Sequence, residues 1–78
     1  MSHQDSQDLP IVEIEAQPIE LYKVLKIQNW VQSGGEAKYV ITQGLVRVNG
    51  EIETRKRKKL IAGDCIEFGG MAIKIKLK

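Results

Sequence analysis

Two glycine-bearing dipeptides, Asn49-Gly50 and Gly69-Gly70, constrain the fold of this chain more than any other feature. Each lies between short runs whose apolar residues recur at every second position. Such a dipeptide accepts the left-handed backbone that a tight hairpin turn requires. Cys65 to Phe68 and Met71 to Leu77 therefore read as one hairpin, pairing Phe68 with Met71 and Ile66 with Ile73 on one face. Lys74, Lys76 and Lys78 alternate outward, and on an exposed strand they would discourage edge-to-edge association. Leu45 to Val48 and Ile52 to Thr54 flank Asn49-Gly50 as a second hairpin. A strict two-residue loop there sets Val48 against Glu51 and Arg47 against Ile52, mixing apolar and charged residues on each face. Taking Glu51 into the loop pairs Val48 with Ile52, Val46 with Thr54 and Arg47 with Glu53. A three-residue connection or a bulge is therefore expected.

Upstream of Gly44 the period is helical. Ser33-Gly34-Gly35-Glu36 matches a capping box, with Ser33 as N-cap and Glu36 at the third helical position. Ala37, Val40 and Ile41 form the buried stripe of that helix, Lys38, Tyr39 and Thr42 its outer side, and Gly44 its C-terminal cap. A preceding helix runs to about Gln28, with Pro18 in its first turn. Leu21, Val24 and Leu25 share its inner side, and Lys23 and Lys26 the other. The short link, Asn29 to Gln32, carries Trp30, which is expected to wedge the two helices together; stacking on a base is the alternative. Ile11 to Glu15 reads as a short strand at a sheet edge, and residues 1–10 as a disordered acidic tail.

Seventy-eight residues make one small domain, with little room for a deep substrate cavity. The formal net charge of +2 conceals its arrangement. Residues 1–20 hold five acids and no Lys or Arg, whereas residues 21–78 hold all 12 cations against five acids, a balance of +7. Five of those cations are consecutive: Arg55, Lys56, Arg57, Lys58 and Lys59. A basic run between folded elements presents fixed charge to a polyanion, and nucleic acid is the first candidate.

Catalytic chemistry finds little support. His3 is the only histidine and falls in the expected tail, and Cys65 has no histidine near it in sequence. No metal-ligand spacing occurs, and Gly34-Gly35 alone is far short of a nucleotide-binding fingerprint. Asp64 after Gly63 reads as a turn residue. No enzyme activity, metal or cofactor is expected. The single cysteine, the lack of an apolar run of membrane-spanning length and the acidic N-terminus point to the cytoplasm.

In order along the chain come Leu21-Tyr22-Lys23-Val24-Leu25, Ser33 with Ala37-Lys38, Ile41, Gly44, Val46, Val48-Asn49-Gly50 and Gly63-Asp64. This series, over about residues 20–68, resembles the alpha-L RNA-binding motif family, first described in ribosomal small-subunit protein four. With no catalytic domain attached, the chain is most similar to small stand-alone bacterial members of the YbcJ type. The resemblance implies an α+β fold, a two-helix alpha-L motif packed on a small, mainly antiparallel twisted sheet, with residues 11–78 as a single RNA-binding domain. It also implies non-catalytic binding of structured RNA, ribosomal RNA or transfer RNA. Two departures matter. The family often opens its first helix with Arg-Leu-Asp where this chain has Glu20-Leu21-Tyr22, and Gly34-Gly35 stand where a basic residue usually follows the serine.

The residues themselves suggest a matching mechanism. Ser33, Gly34 and Gly35 open a helix whose exposed N–H groups and positive dipole end suit a phosphate. Lys23, Lys26, Lys38, Arg47 and the run Arg55, Lys56, Arg57, Lys58 and Lys59 supply cations, and Tyr39 is a candidate for stacking on an unpaired base. A-form RNA hides its base edges in a deep, narrow groove, so recognition would be of shape and phosphate position. The other reading is a protein-interaction module whose basic patch docks an acidic partner in a ribosome or RNA-processing complex. Duplex DNA ranks lower because neither helix is strongly basic along one face. Oligomeric state is left open.

Overall fold

A computed structural model describes residues 9–78. In chain order the elements are β1 (Ile11–Ile14), β2 (Ile19–Glu20), α1 (Leu21–Ile27), α2 (Gly34–Thr42), β3 (Val46–Val48), β4 (Glu51–Ile52), β5 (Lys59–Leu60), β6 (Cys65–Phe68) and β7 (Met71–Leu77). Five strands form one sheet in the order β1-β7-β6-β3-β4, and β2 pairs with β5 in a separate two-stranded ladder. Every pairing is antiparallel except β1 with β7. The α+β architecture implied by the resemblance is the one observed.

Alternation decides which side of the sheet faces inward. Val12, Ile14, Val46, Val48, Ile66, Ile73 and Ile75 point to one face and join Leu21, Val24, Leu25, Ala37, Val40 and Ile41 of the helices in a single apolar cluster. Residues between them, including Glu13, Arg47, Glu67, Lys74 and Lys76, face outward and are exposed. No polar or charged side chain is buried among the described residues, so any functional group they offer lies at the surface. None of the described helices is long and apolar enough to cross a membrane.

Both helices end in the same way. Leu45 N–H donates to the Val40 carbonyl and Gly44 N–H to that of Ile41, with Gly44 at φ 78°. Trp30 and Asn29 repeat the pattern on Leu25 and Lys26, with Asn29 at φ 61°. These Schellman closures turn the chain sharply at each helix end. The starts differ. Ser33 Oγ accepts from Glu36 N–H at 3.0 Å, as the capping box predicts, whereas α1 has no side-chain cap. Instead the Leu21 and Tyr22 N–H groups donate to the carbonyls of Lys58 and Lys56, at 2.9 and 3.1 Å. The basic run therefore caps α1 through its backbone.

Four sequence expectations need correction. Pro18 is not in a helical turn: Ile19 and Glu20 pair with Leu60 and Lys59, and α1 begins only at Leu21. The Asn49-Gly50 hairpin is strict, pairing Val48 with Glu51 and Arg47 with Ile52. Both turn residues have positive φ, 53° and 86°, as a two-residue turn of matching twist requires. The mixed faces cost little because β4 is an exposed edge strand of two residues, and β6 covers the inner side of β3 by pairing Ile66 with Val48 and Phe68 with Val46. The strand carrying Lys74 and Lys76 is not an edge, since β1 pairs alongside it. Trp30 packs on Phe68 of β6, ring centroids 6.2 Å apart, so it ties the interhelical link to the sheet rather than simply wedging helix from helix. The expected tail falls, for residues 1–8, outside the described residues; the Pro10 carbonyl accepts from Lys74 N–H at 2.9 Å.

Candidate nucleic-acid interface

The basic run is a turn held in place at its backbone, with Lys58 N–H donating to the Arg55 carbonyl at 3.1 Å. Its charges are unequal. Arg55 grips Glu53 through two side-chain hydrogen bonds of 2.8 and 3.1 Å, and its own N–H donates to the same carboxylate at 2.9 Å. That hydrogen bonding to Arg55 holds the Glu53 carboxyl down at about 2, against 4.5 for an ordinary glutamate. Arg57 lies 3.6 Å from Glu20, which also takes Lys23 at 3.7 Å. Lys56, Lys58 and Lys59 make no ion pair among the described residues.

A second set of cations lies between the helices, which run antiparallel. Tyr22 of α1 meets Lys38 of α2, with the Lys38 Nζ 5.1 Å from the ring centroid. One turn along each helix Lys26 meets Gly34, where a β-carbon would stand 4.0 Å from Lys26 Cδ. Residues four apart occupy one face of a helix, about 6 Å along its axis, so these contacts define two facing stripes and a groove between them. Tyr22, Lys23, Lys26 and Ile27 line a shallow cavity of about 270 Å³ at its α1 wall. Lys26 and Lys38 have no carboxylate within ion-pair distance among the described residues. Tyr22 also donates its N–H to the Lys56 carbonyl, so the residue at one end of the groove is tied to the basic turn. Tyr22 therefore touches both Lys38, through its ring, and the backbone of the 55–59 run, through its N–H.

The start of α2 opens the groove at its other end. Ser33 Oγ is occupied by Glu36 N–H, and the Glu36 carboxylate accepts from Gln32 N–H at 2.9 Å. Gly34 and Gly35 keep first-turn N–H groups with no acceptor among the described residues. A β-carbon at either glycine meets nothing closer than 3.8 Å, so packing does not demand glycine at these positions.

Two expected contacts lie elsewhere. Tyr39 is exposed, about 100° round α2 from Lys38 and away from the stripe that faces α1. Arg47 sits on the open face of the sheet, opposite the helices, with its Nη1 3.3 Å from the Gly50 carbonyl. Sequence reasoning passed over Tyr22, which joins α1, α2 and the basic turn. Its spacing of four from Lys26 was the available signal, meaningful only once the partner helix is in place. It also passed over Glu53 as the partner of Arg55 and Glu20 as the partner of Arg57. Among the described residues no group of three or more His, Cys, Asp or Glu converges on a metal-sized site.

A surface-charged helix pair backed by a mixed sheet defines a compact domain, with Lys23, Lys26 and Lys38 on the helices and Arg47, Lys74 and Lys76 on the open face of the sheet. Residues 12–76 match the S4 domain family model, and the chain belongs to that family. It is similar to YbcJ of Escherichia coli (strain K12), named as a candidate RNA-binding protein, with 42% identity over 57 residues, 73% of this chain and 81% of that one. A protein of Bacillus subtilis (strain 168) named as a candidate ribosome maturation protein, RlbA, is 37% identical over 59 residues, 76% of this chain and 83% of that one. The solution structure of E. coli YbcJ, described as revealing an alpha-L motif involved in RNA-binding, superposes with a TM-score of 0.67 at 37% identity, covering 96% of this chain and 95% of that one.

Proposed function

We propose that this protein binds structured RNA, ribosomal RNA or transfer RNA, by its phosphate positions and shape, without performing chemistry on it. The observation that carries the reading is the junction at Tyr22, where the interhelical groove and the basic turn meet. A backbone lying along the groove would pass the Gly34 and Gly35 N–H groups and Lys26, then Lys23 and Lys38, then Lys56, Lys58 and Lys59. Family membership and the names of YbcJ and RlbA support RNA as the polyanion. The RlbA name further supports a cytoplasmic setting on the ribosome or in an RNA-processing complex.

Titrating the protein with a fluorescently labelled RNA hairpin at several salt concentrations tests this. Neutralising about five phosphates gives a log–log slope of roughly −3.5 to −4.5. A slope near zero contradicts the reading. Partners that stay bound after nuclease digestion of a pull-down would favour docking on an acidic protein instead.

A further inference from the structure

We infer that Tyr22 is a positioning residue that assembles a two-ammonium phosphate site from both helices, holding Lys23 and Lys38 around a neutral ring. The inference rests on the RNA reading above and specifies one site within it. A lysine side chain on a helix surface is mobile, and fixing it costs rotamer entropy. Proteins commonly lower that cost with a carboxylate partner, as Glu53 does for Arg55, but the carboxylate cancels the charge it positions. The negative face of an aromatic ring attracts an ammonium without carrying net charge. Here the Lys38 Nζ lies 5.1 Å and the Lys23 Nζ 6.0 Å from the same ring centroid.

The ring is itself fixed. It is partly buried against the apolar core, and its residue is tied by its N–H to the Lys56 carbonyl. Lys23 shares Glu20 with Arg57, whereas Lys38 meets no carboxylate among the described residues and keeps its full charge. An anion beside the ring would be drawn to both ammonium groups, most strongly to the uncompensated Lys38. A phosphate of a bound RNA is such an anion.

The test has two readouts. In the free protein, the Lys38 ε-methylene protons should be shifted upfield by the Tyr22 ring in the wild type and in Y22F, and should return to ordinary values in Y22L. Titration with pyrophosphate should perturb the Lys23 and Lys38 side-chain signals together. In RNA binding, Y22F should match wild type, while Y22L should weaken binding about two- to fivefold, the worth of an exposed cation–π contact, with the salt slope kept. K38Q removes the same contact from the lysine side and should shrink the slope by about 0.7 to 0.9. Adding Y22L to K38Q should then cost less than Y22L alone. An unshifted Lys38 signal, or Y22L costing as much in the K38Q background as in the wild type, overturns the positioning role. If the wild type binds no RNA yet pyrophosphate moves both lysine signals, the RNA reading fails and the phosphate site stands; if pyrophosphate moves neither, the site fails.

Discussion

The basic turn and the interhelical groove make an instructive pair. The turn carries five consecutive cations and dominates the sequence, yet Arg55 is committed to Glu53 and Arg57 to Glu20. The groove draws fewer cations from two separate helices, but Lys26 and Lys38 are uncompensated among the described residues. Density of charge along a chain and charge available to a ligand are different quantities. A carboxylate close in sequence, such as Glu53, or distant, such as Glu20, leaves the first intact while removing the second.

The sharpest way to break this contrast is to delete two cations from each region. K26A/K38A should lower the RNA salt slope by about 1.4 to 1.8, whereas R55A/R57A should lower it by less than about 0.5, because those charges are already paired. Equal losses would mean that the ion pairs open freely when RNA arrives. The reverse manipulation is E20Q/E53Q, which should release Arg55, Arg57 and Lys23, tighten RNA binding several-fold at low salt and steepen the slope by up to about 1. A smaller effect is expected at the groove entrance. Because a β-carbon fits at Gly34, G34A should stabilise the fold by up to about 1 kcal/mol in thermal denaturation while weakening RNA binding by keeping a phosphate off the N–H groups.

The smallest effect should come from pH. Glu53 titrates at about 2 in the folded chain, below its usual 4.5, so its contribution to stability is complete above about 4.5 and fades as the pH falls toward 2. Melting curves of wild type and E53Q should converge over that window. Parallel curves would show that Arg55 is not held in solution.

Local chemistry made much of this fold legible. Ser33 and Glu36 marked the start of α2, Gly44 its end, and Gly69-Gly70 the last hairpin with its register. What stayed hidden depended on distant partners. Nothing near Ile19 indicates that it pairs with Leu60, and nothing near Ile11 that it lies parallel to Lys74. The strict register of the first hairpin overrode the side-chain pattern because β4 is an uncovered edge, a fact about the whole sheet. Asn49 and Asp64 looked like independent turn residues. They bond to each other at 3.1 Å, while Asn49 also accepts from Cys65 N–H and Asp64 from Ile61 N–H, clipping two turns together. At the site, the cationic residues were legible one by one. Their grouping was not, because Tyr22 meets Lys38 only through antiparallel helix packing, and Arg57 meets Glu20 only through the β2–β5 ladder.

Since the carbonyls of Lys56 and Lys58 close the first turn of α1, that turn and the cationic bend are one mechanical unit. A proteolytic nick after Arg57, or residues spliced in beside it, would strip a helix of its lid as well as scatter charge. The bend cannot be transplanted to another scaffold as a bare pentapeptide and keep its shape.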